Sequence, residues 1–160
     1  MTTALAPQLS RSITVGNWLP ASGKVGEVVT PSRLDQSNFA FLQLLRSVAG
    51  EASERNWDGY GAEPVSSETL AMGKNFFYRM PAAYPKPDIS SHPNGDLAFE
   101  WYVSPRRILT VTINDSGRLN YAWMIGVDRQ YGTKHLLDRF PEEITAALRN
   151  IYSEGQTSVR

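Results

Sequence analysis

Between Asp96 and Gly126 the chain carries three β-rich runs of mixed apolar and polar residues, separated by two turn signals. Side chains along a strand point to opposite faces in turn. Leu97, Phe99 and Trp101 therefore share one face of the first run, and Ala98, Glu100 and Tyr102 the other. Val103 to Arg106 interrupts the pattern, because Pro105 cannot donate to a ladder. The second run, Arg107 to Ile113, sets Leu109, Val111 and Ile113 against Ile108, Thr110 and Thr112. Asn114 to Gly117 is a turn by composition, since Asn and Asp bond their own backbone and Gly accepts positive φ. The third run, Arg118 to Ile125, sets Leu119, Tyr121, Trp123 and Ile125 against Asn120, Ala122 and Met124. Both faces of every run are partly apolar. One face is expected to be covered by helices, and the other to keep a semi-apolar surface around Glu100, Tyr102 and Thr112.

Elsewhere the period changes to that of a helix. Leu34 to Glu54 carries Phe41, Leu44, Leu45, Val48 and Ala49 on one stripe, with Ser37 as the expected N-cap. Ser66 to Met80 forms a second helix capped by Ser66 and stopped by Pro81. Pro141, Glu142 and Glu143 start a third, whose stripe is Ile144, Ala147, Leu148 and Ile151. Asp88 to Ser91 is a short strand, joined to the meander by a turn through His92 to Asp96. Val127 to His135 reads as either a fifth edge strand or a loop, with a break at Tyr131 and Gly132. The pattern predicts an α+β domain over 34–152, an antiparallel sheet of four or five strands packed on two or three helices. Residues 1–33 are an N-terminal extension or arm, in which Ile13, Val15 and Trp18 need somewhere to pack. Residues 153–160 are a polar tail.

At 160 residues the chain suits one domain. It has no cysteine, so neither disulfides nor thiolate zinc sites can form; this fits a reducing cytoplasm. Sixteen basic and sixteen acidic residues cancel, which argues against a general nucleic-acid binder. No apolar run is long enough to span a membrane. The histidines, His92 and His135, make no helical pair, and neither metal nor cofactor is expected.

One loop stands out: Trp57, Asp58, Gly59, Tyr60, Gly61 and Ala62. Its glycines demand turn geometry, and Trp57 is expected to anchor it to the core. Asp58 could bind a ligand there or simply close the turn. The spacing is not that of a phosphate loop. This loop, then the strand from Asn94 to Trp101, then Gly117 to Ala122, resembles a family of small bacterial proteins of unassigned function. That family has a W-D-G-x-G-A loop, a G-x-L-x-L-E-W strand and a G-R-L-x-Y-A strand. Phe99 stands where the family usually has leucine. The resemblance implies a bacterial source and a shared α+β fold, and brings no established activity or catalytic residues.

Two functional readings follow. A protein-binding module needs a rigid scaffold and a patch of Trp, Tyr and Arg. Trp101, Tyr102, Arg106, Arg107, Trp123 and Tyr131 supply those types. Its partner would be another protein, or a second copy met through the arm or a sheet face. The alternative is a metal-independent ribonuclease-type toxin of barnase-like or RelE-like architecture. Glu100 and His135 would serve there as acid and base, with Arg107 on phosphate.

Overall fold

The computed structural model of the protein describes residues 32–153. The expectations for the arm and most of the polar tail lie outside them. The described chain runs through two helices, five strands and a closing helix, an α+β arrangement.

Helix α1 spans Arg33–Glu51. It starts a full turn before the expected cap at Ser37. Ser32 caps it, accepting from the Asp35 amide, while the Asp35 carboxylate accepts from the Ser32 amide at 3.1 Å. That reciprocal pair satisfies two amides that a helix start leaves free. Ser37 sits inside the helix, where its hydroxyl accepts from Lys86 at 2.7 Å. The helix also ends short of Glu54. The backbone turns at Ala52, whose carbonyl is taken by the Val65 amide at 2.8 Å. Helix α2 spans Ser67–Arg79, with Ser66 capping the Thr69 amide as expected. Helix α3 spans Glu142–Tyr152, and Pro141 stands just outside it, at the cap position rather than in its first turn.

The strands β1 (Asp88–Ser91), β2 (Leu97–Ser104), β3 (Arg107–Ile113), β4 (Arg118–Ile125) and β5 (Asp128–His135) pair antiparallel in chain order. The segment left open between strand and loop is therefore a strand, entered by a two-residue turn at Gly126 and Val127. The apparent break at Gly132 has a packing cause. The Tyr121 ring lies across Gly132, and a Cβ there would come within 2.7 Å of the phenol oxygen.

Period-two alternation places the core. Leu97, Phe99, Trp101, Leu109, Val111, Ile113, Leu119 and Tyr121 are buried on one face. Phe41 and Leu45 of α1, Phe76 and Phe77 of α2, and Ile144, Leu148 and Ile151 of α3 are buried in the same cluster. The Phe76 ring packs against Phe99 at 4.8 Å and edge-on to Trp101 at 6.4 Å. These three helices cover one side of the sheet.

Candidate interaction face

The register of β2 to β5 builds the opposite face row by row. Tyr102, Ile108, Met124 and Arg129 form one row; Glu100, Thr110, Ala122 and Tyr131 the next. Ala98, Thr112, Asn120 and Thr133 form the third. Small residues occupy the middle strands, so the face is shallow, with two depressions that share Thr110, Ala122 and Tyr131. Tyr102 is 54% exposed and Tyr131 85%. The polar groups of the face partly pair among themselves. Thr110 donates to the Glu100 carboxylate at 3.3 Å, and Thr133 donates to Asn120 at 3.0 Å. Among the described residues no helix packs on this face.

Of the six residues expected to bind, Tyr102 and Tyr131 lie on the open face. Arg106 is exposed at the turn that ends it. Trp101 is 1% exposed, its indole nitrogen donating to the Pro85 carbonyl at 2.8 Å. It is core and offers no surface to a partner. Its place follows from the same alternation that exposes Tyr102. Trp123 is half-buried against the core. Arg107 also points to the helix side, where its guanidinium donates to the Ser153 carbonyl at 2.6 Å. Ile108, Met124 and Arg129 complete the face. The alternation had placed Ile108 and Met124 on it, but their part in a surface needs the strand register, which sequence does not provide.

The three residues named for the catalytic alternative lie apart. Glu100 and His135 are three strands and two rows apart on the open face, roughly 20 Å by strand geometry. Arg107 is on the other face. Glu100, His135 and Arg107 therefore do not converge.

The glycine-rich loop closes on itself. Trp57 is half-buried against the core and donates to the Glu63 carbonyl at 3.1 Å. One carboxylate oxygen of Asp58 accepts from the Tyr60 amide at 2.8 Å and the Ala62 amide at 3.1 Å. The Asn56 side chain accepts from the Gly61 amide at 2.7 Å. Gly59 and Gly61 have φ of 79° and 94°, a region that a Cβ disfavours. The Glu63 amide in turn donates to Pro93 at 2.8 Å, tying the loop to the turn before β2. Asp58 thus spends one carboxylate oxygen on closing the loop, which is held as a clamp.

A further concavity, about 210 Å³, lies between α1, α2 and the segment after Pro81. Lys86 is on its wall, 5.5 Å from the Phe77 ring centre and 5.9 Å from that of Phe41. Burial pushes the Lys86 ammonium below its ordinary pKa. Its ammonium donates to Ser37 and lies over those rings.

Among the described residues no cluster of three or more His, Asp or Glu side chains could hold a metal ion. No described helix is long and apolar enough to cross a membrane. Comparison with family models, curated proteins and solved structures finds no match to this chain.

Proposed function

We propose that this chain is a non-enzymatic protein-interaction module, a regulator, inhibitor or accessory subunit of a bacterial cytoplasm, that meets its partner with the open sheet face. One observation carries the reading. The face of β2 to β5 presents Tyr102, Tyr131, Ile108 and Met124 on a rigid sheet with no covering helix among the described residues. Exposed tyrosines contribute large contact area at small entropic cost and recur among the residues that dominate binding energy. Contiguous apolar surface of this kind marks interaction sites on soluble proteins. The balanced charge favours a protein over a polyphosphate partner.

The test is affinity capture from a lysate of the source cells, with and without nuclease, using wild type and a Tyr102→Ala/Tyr131→Ala variant. A stoichiometric protein that survives nuclease and is lost with the variant is the expected result. Recovery of RNA, or of ribosomes released by nuclease, would replace this reading with the ribonuclease one.

A further inference from the structure

The sheet's two edges are treated differently. The β1 edge is short, four residues, and α1 lies against it, with Ser91 donating to the Val48 carbonyl at 3.1 Å. The β5 edge is eight residues long, has no proline, and pairs with β4 in unbroken register. No described residue covers it. Open strand edges present unpaired amides and carbonyls, and proteins shorten, bend or cover those that must stay single. Val127, Tyr131 and Leu137, along and just beyond this strand, are 85%, 85% and 72% exposed.

The direction of the free backbone groups can be read. Adjacent β4–β5 pairs alternate between hydrogen-bonded and not. The Leu136 amide donates to Gly117 at 2.8 Å, which fixes the even-numbered residues of β5 as those bonded to β4. Arg129, Tyr131, Thr133 and His135 therefore turn their amides and carbonyls outward.

We propose that β5 pairs antiparallel with β5 of a second copy of this chain, about a two-fold axis through Tyr131. A two-fold pairing that keeps both helix-covered faces on one side must match odd residues with odd. The register centred on Tyr131 sets Arg129 against Thr133 and Asp128 against Lys134 of the other copy, each twice. Moving the axis to Gly132 sets Arg129 against His135 and leaves Asp128 without a cation. Charge thus selects the first register. Lys134 already meets Glu143 of α3, and its ammonium has donors to spare. Three residue pairs with outward amides supply about six backbone hydrogen bonds. Each is the symmetric copy of another, as an isologous interface requires.

The chain has no native cysteine, so a single thiol reports the register. Tyr131→Cys places two thiols across the axis, with Cα atoms about 5.5 Å apart, within disulfide reach. Oxidation is expected to give a covalent dimer with Tyr131→Cys and none with Asp115→Cys, in a different turn. Sedimentation of wild type should give twice the 17.8 kDa chain mass. Tyr131→Pro removes an outward amide and spares the β4 ladder, so a folded monomer is expected. Asp128→Lys, which opposes Lys134, should weaken the dimer on the order of tenfold. A monomeric wild type overturns the proposal. So does a dimer that survives Tyr131→Pro, or a dimer in which Tyr131→Cys fails to cross-link. Should the proline variant fail to fold, the cross-linking pattern decides alone. None of these readouts depends on the partner of the open face.

Discussion

Trp101 and Tyr102 are neighbours in sequence with opposite surroundings, and their alanine variants should separate cleanly. Trp101 is 1% exposed, packs edge-on to Phe76, and donates its indole proton to the Pro85 carbonyl at 2.8 Å. Truncation to alanine removes the whole ring and leaves a cavity among close-packed neighbours. Large-to-small changes of this kind cost about 4 kcal/mol. Within that sum the edge-on aromatic contact accounts for about 1 kcal/mol and the hydrogen bond for about another. For a domain of this size the melting temperature should fall by about 15 °C. Trp101→Phe keeps most of the ring and loses the bond, so about 1–2 kcal/mol is expected. Tyr102→Ala, at a side chain 54% exposed, should cost under about 1 kcal/mol. Urea unfolding followed by far-UV circular dichroism measures all three. A Trp101→Ala variant within about 1 kcal/mol of wild type would refute the assignment of this tryptophan to the core. The comparison also guards the binding test: partner loss in Trp101→Ala reports a damaged fold, whereas loss in Tyr102→Ala reports a surface.

Gly132→Ala should destabilise by about 1–3 kcal/mol, because its Cβ would fall 2.7 to 2.9 Å from the Tyr121 ring. A thermal melt checks it, and strong non-additivity with Tyr121→Ala identifies the clash as the cause. Asp58→Ala removes one acceptor from two amides and should cost about 1–2 kcal/mol, with hydrogen exchange rising at Tyr60 and Ala62. Glu100→Ala, exposed and accepting from Thr110, should change stability by under about 0.5 kcal/mol. The Lys134–Glu143 bond holds the Glu143 carboxyl below the usual carboxylate range and the Lys134 ammonium above its own. A depressed carboxylate pKa contributes stability above its unfolded value and loses it as pH falls through the folded one. A raised ammonium pKa contributes below its unfolded value and loses it as pH rises through the folded one. Glu143→Gln should therefore lower stability across neutral pH and converge with wild type in acid. A difference that persists unchanged below about pH 3 would contradict the pairing.

Alternation and helical stripes carried most of the fold. Which residues of the three central strands point to the helices followed from a period of two, and register then made rows of what sequence had as separate runs. The boundaries that moved were set by contacts a stripe does not contain. Helix α1 begins at the Ser32–Asp35 capping box rather than at Ser37. It ends where Ala52 is drawn into pairing with Val65. Strand β5 was ambiguous because Asp128 to His135 is nearly all polar and holds a glycine, whose reason is the Tyr121 ring on the next strand. The candidate surface was only half legible for a related cause. Residue type pointed to Trp, Tyr and Arg alike, while strand parity sends Trp101, Arg107 and Trp123 to the helix side and Tyr102 and Tyr131 to the open one.

That sorting divides labour between the two halves of the chain's chemistry. The residues with the strongest turn signals in the sequence, and the tyrosine beside them, are occupied in holding the fold. Trp57 and Asp58 close a loop, Gly117 turns a hairpin at φ 76°, and Tyr121 is buried beneath Gly132. The open face, built from Tyr102, Ile108, Thr110, Ala122, Met124 and Tyr131, uses none of these residues. Pairing of β5 edges would join two such faces into one continuous surface with Tyr131 of both copies at its centre. Partner affinity should then depend on dimerisation even where the partner never touches β5. The folded Tyr131→Pro monomer, compared with Tyr131→Ala in the same binding assay, separates the two contributions. Equal losses assign Tyr131 to direct contact, and a greater loss in the proline variant assigns the excess to the joined face.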